Sequence, residues 1–100
     1  MYAQLIQGGA APEDREQMNG VVVHEMLPAL LREPGFSGAL NLVEPGTGDA
    51  MTILLWETEA QARRALADYR APFLKALASV MSMFRGRPAP ISVWEVSARA

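Results

Sequence analysis

Apolar and polar positions along this chain change their period several times, and each change marks an element. Tyr2 to Gln7 alternates loosely and stops at Gly8-Gly9, which predicts a first strand. Ala10-Ala11-Pro12 reads as a turn. From Asp14 to about Arg32 the residues Met18, Val22, Val23, Met26, Leu27, Leu30 and Leu31 recur at helical spacing. Glu13, Asp14 and Glu16 stand where a helix N-terminus favours negative charge. Pro28 lies inside this run; it lacks an N–H and crowds the preceding turn, so a kink or break is expected there. Pro34-Gly35 ends the helix.

Phe36 to Val43 reads as the second strand, with Phe36, Gly38, Leu40 and Leu42 on one face and Ser37, Ala39, Asn41 and Val43 on the other. Residues 44–49, Glu-Pro-Gly-Thr-Gly-Asp, are dense in turn formers and predict a hairpin loop. Ala50 to Glu57 follows as a strand, with Met51, Ile53 and Leu55 opposed to Thr52, Leu54 and Trp56. Thr58 with Gln61 three residues on has the pattern of a capping box. The helix it opens carries its apolar stripe to about residue 84, with Pro72 bending or dividing it. Pro90 to Ser97 predicts the last strand, Ile91, Val93 and Glu95 opposing Ser92, Trp94 and Val96.

The order β-α-β-β-α-β is that of an α+β, ferredoxin-like domain: one antiparallel four-stranded sheet with two helices on one face. The other face has apolar side chains of its own. A four-stranded face of this length covers roughly 400 Å² from strand spacing and rise. With side-chain relief this matches or exceeds the apolar patch, roughly 300–600 Å², that a monomer tolerates. A homodimer pairing through that face is therefore expected, two-fold association being the commonest kind.

Bulk composition narrows the function classes. One hundred residues, half of them hydrophobic and one-fifth charged, make a single globular domain spanning residues 1–100. A net charge of −2 gives no basic footprint for nucleic acid. Without cysteine there is neither a disulfide nor thiolate chemistry, and one histidine excludes a multi-histidine metal site within one chain. No apolar run approaches a membrane span, and the first residues have no signal-peptide pattern, so the expected location is cytoplasmic. Gly46-Thr47-Gly48 is a turn and not a phosphate loop, since no lysine-bearing helix follows it.

The sequence Pro34-Gly35-Phe36, the hairpin, and a strand running into Trp56-Glu57-Thr58-Glu59-Ala60 before the second helix resemble the dimeric α+β barrel proteins, and more narrowly the antibiotic-biosynthesis-monooxygenase-like domains. The resemblance covers nearly the whole chain. It implies two sheets packed face to face across a dimer, with a cavity between the helices and the sheet of each copy. It also implies one of several activities: cofactor-independent oxygenation of aromatic polyketides or quinols, haem degradation, or none assigned. The haem-degrading members use an asparagine on the first strand and a tryptophan and histidine on the second helix. This chain has Gln4 and Gln7 on the first strand and Lys75 near the histidine position, so haem degradation by that route is not expected. No metal or organic cofactor is called for.

Candidate chemistry rests on few residues. His24 is the one side chain that ordinarily titrates near neutrality. It is the candidate catalytic base, against the plainer and favoured reading of a histidine capping the edge of the core. Asn41, Trp56, Tyr69 and Trp94 are the candidate substrate-binding residues for a small aromatic ligand. Each has a plain alternative: packing in the core or dimer contact for the tryptophans, a core ring with its hydroxyl near the surface for Tyr69, simple solvent exposure for Asn41. Two functions follow: a cofactor-independent monooxygenase acting on an aromatic polyketide or quinol, or a non-catalytic dimeric ligand-binding or accessory protein.

Overall fold

Alternation in three segments and helical spacing between them build the expected layers. The computed structural model describes residues 1–68, 70–86 and 90–100. Strands β1 (Tyr2–Gln7), β2 (Phe36–Val43), β3 (Ala50–Trp56) and β4 (Ser92–Glu95) form one antiparallel sheet in the order β2-β3-β1-β4. Helical segments α1 (Arg15–Val21), α2 (Leu27–Leu30), α3 (Glu59–Ala67) and α4 (Pro72–Ser82) complete the ferredoxin-like order. Pro72 divides the second helical run as its chemistry requires: Ala71 is extended, and Pro72 takes the first helical position, where no N–H is needed. The last strand is shorter than the predicted 90–97 span.

The first helical run passes its proline by a local change of winding. Residues Val22–Met26 form a π-turn between α1 and α2, in which the Leu27 N–H donates to the Val22 carbonyl, five residues back. Pro28 has no hydrogen to offer and its ring would crowd the His24 carbonyl in an α-helix; the wider turn relieves both. Met18, Val22, Met26 and Leu30, each four residues apart, all point inward and are buried. Val23 and Leu31, which helical spacing also placed on the stripe, are instead 44% and 76% exposed.

Register sorts the sheet into two faces. On the helix side lie Tyr2, Gln4 and Ile6 of β1, Thr52, Leu54 and Trp56 of β3, Ala39 and Asn41 of β2, and Val93 and Glu95 of β4. On the open side three rows cross the strands: Gly38–Leu55–Ala3–Trp94, Leu40–Ile53–Leu5–Ser92, and Leu42–Met51–Gln7. Phe36 departs from the expected alternation. An irregularity at Ser37 lets Phe36 pair with Trp56 and turns its ring to the helix side, where it meets the Trp56 indole edge-on at 5.5 Å.

The core fills the helix side. Ile6, Met26, Leu30, Leu54, Trp56 and Phe73 are among the side chains most completely removed from water. Each such side chain contributes about 1.5–3 kcal/mol relative to exposure. The capping box is formed: the Gln61 N–H donates to Thr58 Oγ1 (3.1 Å) and the Thr58 N–H to Gln61 Oε1 (3.2 Å). Gly35, at φ +80°, lets the chain turn from α2 into β2 while its carbonyl accepts the Glu57 N–H at 2.9 Å.

Candidate functional site

Polar groups on the helix side of the sheet fall into two clusters. The inner one joins Gln4, Trp56 and α3. The Trp56 indole N–H donates to Gln4 Oε1 at 2.7 Å, and Gln4 Nε2 donates to the Ala62 carbonyl at 2.8 Å. Gln4 and Trp56 are both fully buried, so this chain of bonds satisfies an indole and an amide that would otherwise be orphaned in apolar surroundings. Phe73 of α4 closes over the other side of the indole, with ring centroids 6.3 Å apart.

The outer cluster lies two residues along the strands toward the hairpin. Thr52 Oγ1 donates to Asn41 Oδ1 at 2.9 Å across the β2–β3 pair. Thr52 is buried and Asn41 exposed, so the pair marks the border of the covered layer. Holding Oδ1 leaves the Asn41 amide N–H groups free to turn to a ligand.

The candidate residues do not come together. Trp56 is 0% exposed and bonded within the core, which removes it as a surface for stacking. His24 sits in the π-turn between inward-facing Val22 and Met26 and, like Val23 and Glu25 beside it, faces solvent on the outer side of the helix. It does not cap the core edge, because the proline-driven change of winding turns this position outward. Trp94 lies on the open side, 55% exposed, its indole N–H donating to Ser92 Oγ at 2.7 Å. Tyr69 lies outside the described residues. Gln4 and Thr52 are polar partners that sequence reasoning did not single out. The available signal was a glutamine on the same alternation face as Ile6, opposite a strand holding a tryptophan that needs an acceptor.

A groove of about 540 Å³ opens on the other face, at the hairpin end. Leu42 and Met51 supply apolar wall, Gln7 and Gly8 one side, and the hairpin residues Glu44 and Asp49 the rim. The hairpin forming that rim is held from behind. Arg85, just past α4, donates through Nη2 to the Thr47 carbonyl (3.0 Å) and pairs with Asp49 Oδ1 (3.3 Å). The Arg15 guanidinium lies close against Gly48, its Nε buried and without a partner among the described residues. Among those residues no group of three or more histidine, aspartate or glutamate side chains could hold a metal ion, and no helix is long and apolar enough to cross a membrane.

No protein-family model matches the chain, and no curated protein sequence does. Solved structures do match. An antibiotic biosynthesis monooxygenase is 14% identical over 98% of this chain and 100% of its own, with a TM-score of 0.77. SnoaB, a cofactor-independent oxygenase from Streptomyces nogalater, is 18% identical over 98% and 92%, with a TM-score of 0.72. A monooxygenase from the gene ActVA-Orf6 of Streptomyces coelicolor, solved in complex with nanaomycin D, is 14% identical over 99% and 89%, with a TM-score of 0.77. The architecture is thus α+β and ferredoxin-like. It is the fold of these antibiotic biosynthesis monooxygenase structures.

Proposed function

We propose that this chain binds an electron-rich aromatic molecule of the polyketide or quinol type at the Asn41–Thr52 border of the helix–sheet layer and oxidises it with molecular oxygen. The observation that carries the reading is the Asn41 amide, held through its Oδ1 by Thr52 at an exposed position that leaves its N–H groups available to a ligand. Support comes from the shared fold with SnoaB and with the nanaomycin D complex. A donor so placed stabilises the aromatic oxyanion formed when the substrate gives up a proton. That electron-rich anion passes electrons to oxygen; a carbon–oxygen bond forms and the oxygen–oxygen bond breaks, so that in an anthrone a CH2 group becomes C=O, and in a quinol a ring C–H becomes C–OH as the ring is oxidised to the quinone, each with release of water.

Oxygen uptake by the pure protein with a panel of anthrone- and quinol-type substrates tests this. Asn41→Ala should lower kcat/KM on the order of tenfold or more, as loss of an oxyanion donor does. His24→Ala should leave turnover unchanged, since His24 faces away from the layer; a sharp loss would move the site to the outer helix face. The second reading, a non-catalytic ligand-binding module, is favoured by the full burial of Met26, Leu30, Leu54, Trp56 and Phe73 in one apolar cluster. Ligand binding without oxygen uptake across the panel would establish it.

The open sheet face pairs with a second copy in this reading. Leu40, Leu42 and Trp94 are 55%, 49% and 55% exposed on that one face, a cost that two-fold pairing removes. Sedimentation at micromolar concentration should show a dimer; a folded, non-associating monomer would overturn it.

A further inference from the structure

On the open face the exposed indole of Trp94 and an apolar hollow stand at opposite corners. Trp94 stands out from the edge strand β4 in the first row of the face, and the groove of about 540 Å³ lies at β2 and β3 in the third row. The two are separated by two rows and two strands, roughly 17 Å from strand rise and spacing, so Trp94 cannot fold back into the groove of its own chain. We propose that, within the dimer read above, Trp94 of each copy seats in the Leu42–Met51 groove of the other. A two-fold axis lying in the face exchanges the two corners if it crosses the middle row near Leu5 and Ile53, perpendicular to the line joining them. Such an axis seats both indoles at once, and the contact closes on itself.

Chemistry at the two corners agrees with this. The groove wall is apolar and its rim polar, the arrangement of an interface core with its border. The Trp94 indole N–H already donates to Ser92 Oγ, so burial of the ring leaves no orphaned donor. The volume accepts an indole together with the backbone that carries it.

The absence of native cysteine makes the test direct. Leu42→Cys and Trp94→Cys proteins, each with one thiol at a half-exposed position, are mixed and treated with a short bis-maleimide linker. The expected product is the 42–94 heterodimer, in excess over 42–42 and 94–94 products from either protein alone. Trp94→Ala should raise the dimer dissociation constant by at least about thirtyfold in sedimentation, the effect of losing an aromatic anchor. A dimer that links 42 to 42, or that is indifferent to Trp94→Ala, overturns the seating and leaves self-association standing. A monomer at every concentration overturns both.

Discussion

The Gln4–Trp56 bond offers a test of whether a buried polar link, rather than packing alone, fixes the centre of this domain. Gln4→Met keeps the side-chain length and removes both hydrogen bonds. It leaves the Trp56 indole N–H without its acceptor at a site with no exposure to water. An unsatisfied buried donor costs about 1–3 kcal/mol, and loss of the 2.8 Å bond to the Ala62 carbonyl adds about 1 kcal/mol. The expected loss is therefore about 2–4 kcal/mol, which for a domain of this size lowers Tm by roughly 10–25 °C. Urea unfolding followed by far-UV circular dichroism, at one fixed protein concentration because association shifts apparent stability, gives the value. Trp56→Phe removes the donor from the other side. The double variant should cost at least about 1 kcal/mol less than the sum of the single ones, because the orphaned N–H no longer exists. Gln17→Met serves as the control: it is the same change at an exposed position of α1, away from the sheet, and should move stability by no more than about 0.5 kcal/mol. A loss below about 0.5 kcal/mol for Gln4→Met, or a strictly additive double variant, would refute the view that this bond is satisfied only by its partner.

Other substitutions probe the connections that aim β2 and α3. Gly35→Ala should destabilise by at least about 1–2 kcal/mol, since a Cβ at φ +80° strains the backbone and would collide with the Gln61 side chain that completes the α3 cap; thermal unfolding reads this out. Thr58→Ala removes the capping oxygen and should cost about 1 kcal/mol in the same assay, with earlier amide exchange confined to the first turn of α3. Arg85→Gln leaves the hairpin with one fewer brace; its surface ion pair contributes at most about 1 kcal/mol, so global stability should barely change while amide exchange at Thr47–Asp49 accelerates.

Much of this architecture was legible because period and punctuation agree. Strands β1 and β3, bounded by turn formers, show the alternation in burial that strands require, Pro72 falls where a helix can begin but not continue, and the Thr58/Gln61 pattern produces the cap it predicts. Phe36 departs from the face that alternation predicts because a strand's faces follow strict alternation only while the pairing is regular. The irregularity between Phe36 and Gly38 adds a residue on one strand and reverses the face of everything before it. Gly38 was the available cue, since a glycine inside a strand often marks such a point.

The candidate site was less legible, and the first helical run shows why. In a regular α-helix, side chains four residues apart drift about 40° around the axis at each step, so Met18, Val22, Met26 and Leu30 could not all face one way. Residues three and four apart then share the stripe, which is why helical spacing assigns Val23 and Leu31 to it and His24 to the edge of the core. The π-turn absorbs part of that drift, aligns the four-residue series inward, and rotates Val23, His24 and Glu25 to the outside. Pro28 announces a disturbance but not whether the chain answers by kinking, breaking or widening a turn, because that choice depends on what the sheet beneath offers to the side chains above it. The same dependence governs the tryptophans. Trp56 and Trp94 are indistinguishable as residue types on strands, yet one is drawn into the core by a glutamine on a strand 52 residues away and the other is left on an uncovered face with only Ser92 to satisfy it. Which aromatic ring is available to a ligand or a partner is therefore decided by register across the sheet, a long-range property, and not by the local pattern around either residue.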